Sequence, residues 1–299
     1  MRQWYKHGGM AARSASPRGF WALWVTQFQG AFSDNIHKSV ATFLAAAVAV
    51  STAQRDQFAT LIGMLFAAPF ILFSMTGGWL ADRFSKRTVT VGVKLFELAV
   101  MTVAAVGLAQ RNVPLLLACV FFMSLQSALF GPAKYGLLPE LLTESRLSWG
   151  NGVLQLGTNV AIVTGIAAAG FLAEALRGRE VWIGALLMGL AALGTLTSVG
   201  IDRVPAANPT KPFRANFIGD FLAQLQVVRR DRVLWLAMLG ELYFSFLGSL
   251  LLLNIFIYGK DVLAAGDAQI GLLQAAVAIG IGVGSVAAGY LSGGKIEYG

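Results

Sequence analysis

The sequence predicts an all-α protein that crosses a membrane several times, and three observations lead to this fold class. Hydrophobic residues make up 56% of the 299 positions and charged residues only 13%, about half the ~25% usual in soluble domains. Eight apolar segments are each close to or above the ~20 residues that a helix needs to cross a bilayer. Basic residues gather in alternate connections between these segments. A water-soluble fold cannot bury so much apolar surface.

The eight predicted spans follow one another along the chain, and two of them are longer than a crossing requires. The first and the fourth exceed the minimum, so we expect a tilt, a break or a re-entrant end in each. Gly131 and Pro132 give the fourth span a local reason to kink. The predicted spans cover residues 19–50, 58–81, 88–109, 113–141, 150–175, 181–201, 233–258 and 268–292.

The positions of the basic residues predict how the spans are oriented. With residue 1 placed in the cytoplasm, fifteen of the 23 Lys and Arg residues fall on the inner side, five fall on the outer side, and three lie within spans. This bias is the positive-inside pattern of membrane proteins. The net charge of +8 is therefore a topology signal that also attracts anionic membrane lipids. It does not indicate nucleic-acid binding.

Residues 203–232 separate the first six spans from the other two. This connection holds three prolines followed by an amphipathic stretch, NFIGDFLAQLQVVRRDR, with a basic end. Such a stretch is typical of a helix that lies on the membrane surface. We therefore predict a six-helix half over 1–202, a central cytoplasmic loop with an amphipathic helix over 203–232, and two helices of an incomplete second half over 233–299.

The end of the second span is repeated at the end of the eighth. Aligning Gly78 with Gly289 also aligns Leu80 with Leu291, so spans seven and eight look like a restart of spans one and two. Parallel six-span repeats joined by a loop are one architecture of secondary transporters. On this symmetry we expect the sequence to be truncated or partial, with about four further spans after the eighth.

The segment GGWLADRFSKR, which ends the second span, resembles the loop signature between the second and third helices of the major facilitator superfamily. The resemblance implies that fold, with a six-helix N-terminal half and the first two helices of a C-terminal half. Gly78 would let two helices approach closely, and Asp82 could pair with a basic group and hold the inward gate shut. The predicted gating residues are Gly78, Asp82, Arg83, Lys86 and Arg87.

Ionisable side chains within the spans are the main candidates for a transport site, because charges at membrane depth are rare and usually functional. Asp34 and Lys38 are four residues apart in span one, which allows either an internal ion pair or a role in substrate binding or gating. Lys94 and Glu97 in span three allow the same pairing, although Lys94 could also snorkel to the cytoplasmic end. Glu241 in span seven has no partner at helical spacing, so we expect it to pair across the bundle, carry a proton or lie in a wet cavity.

Two segments narrow the resemblance to one family. QFQGAFSDNIHK in span one and LFGPAKYGLLPELL in span four are similar to the FNDN…K and PxKYGxLPE segments of bacterial lysophospholipid transporters. Both segments most resemble the transporter portion of bacterial proteins in which it is fused to an acyl-ACP synthetase/acyltransferase. Span one departs from the family pattern at Ser33 and His37.

This resemblance implies inward movement of lysophospholipid, such as acyl-glycerophosphoethanolamine, across the bacterial inner membrane for reacylation. We expect no cofactor. It places Asp34, Asn35 and Lys134 in the path of the headgroup, where an ammonium can hold phosphate and a carboxylate can hold ethanolamine. An acyltransferase, fused or co-encoded, is a possible partner. The candidate substrate-path residues are Asp34, Asn35, Lys38, Lys134, Tyr135 and Glu241, and the secondary candidates are Lys94 and Glu97.

Two other functions stay open. A proton-coupled exporter of drugs or metabolites would use Asp34 or Glu241 as its proton carrier, although the PxKYG segment argues against it. The other is the membrane part of an acyltransferase, but neither His7 nor His37 is followed by the aspartate of a His-x₄-Asp signature. We therefore expect a transporter rather than an enzyme. One cysteine and two histidines leave little for metal chemistry.

Overall fold

The computed structural model describes residues 16–213 and 217–263, together with separate positions between 273 and 291. In this part of the chain the regular structure is helical. A single 3₁₀ turn, Glu144–Arg146, precedes the fifth helix. The α-helices are α1 (Pro17–Val48), α2 (Thr52–Arg83), α3 (Lys86–Ala109), α4 (Val113–Leu141), α5 (Leu147–Ala175), α6 (Val181–Val199), α7 (Phe217–Arg230) and α8 (Arg232–Asp261).

The first seven predicted spans are confirmed as helices. Five of the described helices, α2 to α6, are long and apolar enough to cross a membrane, and α1 and α8 contain 32 and 30 residues. Most of span eight, with the second copy of the repeat around Gly289, lies outside the described residues. The amphipathic stretch after the prolines forms α7 and ends on two arginines, as predicted.

Side-chain caps explain why several helices begin where they do. The hydroxyl of Ser51 accepts a hydrogen bond from the backbone N–H of Gln54 at the start of α2. The carboxylate of Asp231 accepts from the first N–H groups of α8, and this cap separates α8 from α7. Each cap satisfies N–H groups that have no partner within their own helix.

The bundle core consists of two apolar clusters with a polar layer between them. The cluster toward the predicted outer end includes Ile36, Met101 and Leu116. The cluster toward the predicted cytoplasmic end includes Leu23 and Leu137. Helix α1 lies at the centre, where it contacts α2, α4, α5 and α6. Between the two clusters, Gln29 of α1 meets Lys94 and Glu97 of α3.

Helix α2 packs on α4 through Gly77. A Cβ at Gly77 would lie 2.9 Å from the carbonyl oxygen of Ala128, whereas a Cβ at Gly78 would meet nothing within 4 Å. Within the described part of the chain, the close approach of α2 to α4 is therefore made at Gly77, and the role predicted for Gly78 stays a prediction. Neighbouring residues point about 100° apart around a helix, and the backbone of α4 lies on the Gly77 side.

The fourth span is not broken at its prolines. Helix α4 is assigned without interruption from Val113 to Leu141, with Pro132 and Pro139 inside it. Of the tilt, break or re-entrant end expected for this span, the break is therefore absent. Transmembrane helices tolerate proline because the surrounding structure can satisfy the backbone carbonyl that loses its donor.

Candidate functional site

A buried ion pair lies at the centre of the bundle. The Nζ atom of Lys94 lies 2.6 Å from Oε2 of Glu97, and both side chains are fully buried. Gln29 of α1 bridges the pair, because its Oε1 accepts from Lys94 at 3.0 Å and its Nε2 donates to Oε1 of Glu97 at 2.9 Å. The predicted pairing of Lys94 with Glu97 is confirmed. Snorkelling of Lys94 is wrong, since its ammonium is held inside the bundle.

Glycines on neighbouring helices make room for this buried pair. A Cβ at Gly30 would lie 2.7 Å from Nζ of Lys94, and a Cβ at Gly194 would overlap the amide of Gln29. The backbone carbonyl of Lys94 accepts a hydrogen bond of 3.1 Å from the hydroxyl of Thr195 on α6. Helices α1, α3 and α6 therefore enclose the pair together, which sequence spacing within one helix could not reveal.

Asp34 is joined to α4 rather than to its neighbour on α1. The hydroxyl of Ser127 donates to Oδ2 of Asp34 at 2.6 Å, and Oδ1 is sealed from solvent without a hydrogen-bond partner among the described residues. Nζ of Lys38 instead lies 4.3 Å from the centre of the Phe66 ring. The Asp34–Lys38 ion pair that the spacing allowed is therefore not formed. Sequence reasoning missed Ser127, because its partner is 93 residues away.

Asn35 lies on the side of α1 that faces α5. Its Nδ2 atom donates to the carbonyl of Ala31 at 2.8 Å. A Cβ at Gly165 of α5 would lie 3.2 Å from Cβ of Asn35. Because this side chain is buried and bonded within its own helix, its contribution here is to the packing of α1 on α5.

Lys134 and Tyr135 lie toward the predicted cytoplasmic end of α4. The Lys134 side chain is half-buried, with Nζ 4.5 Å from the centre of the Tyr135 ring. Tyr135 is 52% exposed and lies within electrostatic range of Glu241 on α8. Glu241 is exposed and accepts a hydrogen bond of 3.4 Å from the hydroxyl of Ser245. The expectation that Glu241 lacks a partner at helical spacing is therefore wrong, because Ser245 is four residues away.

The end of α2 is tied to the segment that follows α6. Nζ of Lys211 lies 2.7 Å from Oδ2 of Asp82. The carbonyl of Lys211 accepts hydrogen bonds from Arg83 at 2.7 Å and from the Trp79 indole at 3.1 Å. The backbone N–H of Asn208 donates to the carbonyl of Asp82 at 2.7 Å. Asp82 thus pairs with a basic group, as the motif predicts, and its partner is in the central connection.

The other basic residues of the motif bind two further elements. The Lys86 ammonium forms an ion pair with the carboxylate of Glu140 on α4. Gly136 makes room for it, because a Cβ there would lie 2.8 Å from Cε of Lys86. Arg87 donates to the carbonyl of Val199, at the end of α6, at 2.8 Å. The α2 motif and the PAKYGLLPE segment are therefore in direct contact.

Two cavities lie at opposite ends of the bundle. One, of about 560 Å³, lies beside α2 and α4 and is lined by Asp82, Lys86 and Lys211 among others. The other, of about 690 Å³, is mostly apolar and has Arg111 and Glu180 at its edge. His, Cys, Asp and Glu side chains do not gather in groups of three that could hold a metal anywhere in the described part of the chain.

The Arg111–Glu180 pair lies in the connections at the predicted outer end. Nη2 of Arg111 is 2.9 Å from Oε1 of Glu180, and the backbone N–H of Gly178 donates to the same oxygen at 3.0 Å. Burial acts to raise the pKa of Glu180, but these hydrogen bonds and the guanidinium charge outweigh it. The pKa of this carboxyl is therefore lowered from its ordinary value of 4.5.

These features define a class of protein. Long apolar helices surround a buried ion pair, and a basic turn at one end of the bundle is tied to a connecting segment. A helical bundle with this organisation is a multi-pass membrane protein of the transporter type. The sequence profile of the Major Facilitator Superfamily matches residues 23–298. The chain belongs to this superfamily.

Curated relatives of the chain include several lysophospholipid transporters. The "Lysophospholipid transporter LplT" of Pectobacterium carotovorum is 30% identical over 276 residues, which cover 90% of this chain and 64% of the relative. The protein of the same name from Escherichia coli is 29% identical over 282 residues, which cover 92% of this chain and 66% of the relative. The chain therefore spans just under two thirds of the length of these relatives.

Solved structures with the same fold include peptide transporters of the POT family. The transporter PepTSo matches with a TM-score of 0.55 and 17% identity, covering 93% of this chain and 55% of that one. A peptide transporter POT in complex with sulfate matches with a TM-score of 0.53 and 19% identity, covering 81% of this chain and 51% of that one. At these identities the likeness shows the fold alone.

Proposed function

We propose that the protein is a secondary transporter that moves lysophospholipid inward across a bacterial inner membrane. Its proposed substrate is of the lysophosphatidylethanolamine kind, which would be reacylated after transport. Relatives named as lysophospholipid transporters align over about 90% of the chain, which supports this function. The bias of basic residues supports a cytoplasmic N-terminus. An acyltransferase, fused or co-encoded, is the proposed partner.

Opposite charges on two packed helices are the observation that carries this proposal. Asp34 of α1 and Lys134 of α4 are both half-buried, and α1 packs on α4. Lys134 follows Ser127, the residue bonded to Asp34, by seven residues. Since seven residues are nearly two turns, Ser127 and Lys134 lie on one face of α4, about 10 Å apart along the helix axis. In our proposal Lys134 holds the phosphate of the headgroup and Asp34 holds its ammonium.

The remaining candidates take positions around these two charges. We propose that Lys38, Tyr135 and Glu241 line the polar path, which their partial exposure supports. Asn35 lies next to Asp34 and would keep α1 in place against α5. The charges of Lys94 and Glu97 neutralise each other. We propose that this pair, through Gln29, holds α1 and α3 together next to the polar path.

We also propose that the end of α2 acts as the inward gate. Asp82, Arg83 and Trp79 hold Lys211, and Lys86 and Arg87 bind α4 and α6. A transporter that works by rocking of two halves must loosen contacts at its cytoplasmic end when it opens inward. Because the Asp82–Lys211 pair is half-exposed, it can separate without burying an unpaired charge.

Uptake of labelled lysophosphatidylethanolamine by spheroplasts tests the function. Cells that express the full gene should accumulate the lipid, and Lys134→Ala or Asp34→Ala should reduce the initial rate about tenfold or more, as expected when a charged hydrogen bond is lost. Arg55→Ala, an exposed arginine at the far end of α2, serves as the control and should transport normally. Normal rates in both site variants would contradict the site, and absence of uptake by the unaltered protein would contradict the function.

A further inference from the structure

Ser127 of α4 holds one oxygen of the Asp34 carboxylate, and the other oxygen has no hydrogen-bond partner among the described residues. From this geometry we infer that Ser127 is a positioning residue that sets Asp34 to accept the ammonium group of an ethanolamine headgroup. The inference rests on the proposed function and adds the feature that selects a cationic headgroup.

A second hydrogen bond fixes the direction of the Ser127 hydroxyl. Nε2 of Gln126 donates to Oγ of Ser127 at 3.1 Å, and Oγ of Ser127 donates to Oδ2 of Asp34 at 2.6 Å. A hydroxyl has one proton to donate, so accepting from Gln126 leaves that proton directed at Asp34. The distance to Asp34 is in the range of short, charge-assisted hydrogen bonds to carboxylates. The Asp34 carboxylate is therefore held in one orientation.

No basic side chain in the described residues is paired with Asp34. The charged groups near enough to act on it are Glu97, Lys94 and Lys38. Lys94 is paired with Glu97, and the Lys38 ammonium lies over the Phe66 ring. The membrane-depth stretches of α2, α5 and α6 carry no Asp, Glu, Lys or Arg. Oδ1 of Asp34 is an acceptor sealed from water, so a cationic donor is the partner that would stabilise it most.

An ammonium group fits this requirement better than a neutral headgroup. It has three N–H donors and a full positive charge, so it can satisfy Oδ1 and neutralise the carboxylate at the same time. A glycerol headgroup offers hydroxyl donors without a charge. Ser127 would therefore favour lysophosphatidylethanolamine over lysophosphatidylglycerol, because it binds Oδ2 and leaves Oδ1 to pair with the ammonium when the headgroup enters.

Transport kinetics of Ser127→Ala in the full-length protein test this inference. The KM for lysophosphatidylethanolamine should rise about tenfold, the lower range expected for loss of a hydrogen bond to a charged group, while kcat stays within about twofold. Ser127→Thr keeps the hydroxyl and should restore the KM. Ser124→Ala is the matched control, because this buried serine on the same helix has no hydrogen-bond partner in the described part of the chain, and the KM of this variant should be unchanged.

Two further measurements separate positioning from a general structural role. In an Asp34→Asn background, Ser127→Ala should add little, because the two residues act as a unit. The concentration of lysophosphatidylglycerol that half-inhibits uptake should stay within about twofold in Ser127→Ala. An unchanged KM in Ser127→Ala, an equal loss of affinity for both lipids, or a fall in kcat that threonine does not restore would each overturn the inference. Absence of uptake by the unaltered protein would instead contradict the proposed function itself.

Discussion

Lys94 and Glu97 show how one buried pair depends on its surroundings. Both side chains are fully buried, Gln29 bonds to each of them, and glycines on α1 and α6 provide their space. Breaking a buried pair by removing one partner is unfavourable because the other charge stays behind without compensation. The two residues therefore stabilise the bundle only when both charges are present.

Removal of the Glu97 charge should destabilise the bundle strongly. We expect Glu97→Gln to lower the free energy of unfolding by about 3–5 kcal/mol, since it leaves the Lys94 ammonium unpaired. The neutral double variant Lys94→Met/Glu97→Gln should recover most of this loss. Thermal unfolding of the purified protein in detergent measures both. A Glu97→Gln variant as stable as the unaltered protein would show that the pair does not hold the bundle.

The Arg111–Glu180 pair should make stability depend on acid pH. The pKa of Glu180 is lowered from 4.5 in the folded protein, so its contribution is complete above that value and is lost as the pH falls through the lowered pKa. When the pH is lowered from about 6 to about 3, we expect the Tm of Glu180→Gln to fall less than the Tm of the unaltered protein. Glu174→Gln, at the end of α5, is the control. Equal losses in all three proteins would exclude this contribution.

At the scale of elements, the packing of α2 depends on which glycine faces α4. Gly77 meets the backbone of α4, whereas the described residues leave open space around Gly78. We expect Gly77→Ala to lower the free energy of unfolding by about 1–3 kcal/mol through overpacking. Gly78→Ala should be tolerated, because its methyl group would meet no atom of the described residues within 4 Å. Thermal unfolding of the two variants side by side measures the difference, and a reversed order would contradict this packing.

The segment after α6 should loosen when Asp82 loses its charge. Asp82→Asn removes the ion pair with Lys211, and Phe213 packs edge-on against Trp79, with ring centres 5.0 Å apart. We expect chymotrypsin to cleave after Phe213 about twofold to fivefold faster, because a half-exposed pair contributes up to about 1 kcal/mol. Asp56→Asn, the same change at the other end of α2, should leave the rate unchanged. Equal cleavage rates would show that the pair does not secure the segment.

The helices could be predicted from the sequence, but most partners of the charged groups could not. Hydropathy depends on residues within one span, so the predicted bounds of α3 and α4 agree with the structure within two residues. The Lys94–Glu97 pair is local and was also predictable. Asp82 meets a residue 129 positions away, and such partners depend on how helices pack. The choice between Gly77 and Gly78 depends on how α2 is rotated about its axis. The sequence does not reveal this rotation, because the span is apolar on all sides.

For the whole molecule, the helical fold agrees with membership of the superfamily. The proposed activity also requires movement between two halves. The superfamily profile matches most of the chain, and the chain spans just under two thirds of the relatives' length. In our account α1 and α4 supply the headgroup charges, and the end of α2 supplies the gate. Both depend on the movement of one half against the other.

Movement of lysophospholipid between leaflets by the purified full-length protein is the most direct test of this account. The protein would be reconstituted in liposomes that carry fluorescent lysophosphatidylethanolamine in the outer leaflet, and a membrane-impermeant quencher would report the fraction that remains outside. We predict that the protein moves the lipid inward and that Lys134→Ala slows this movement about tenfold or more. Equal rates in liposomes with and without the protein would show that the protein does not move lysophospholipid.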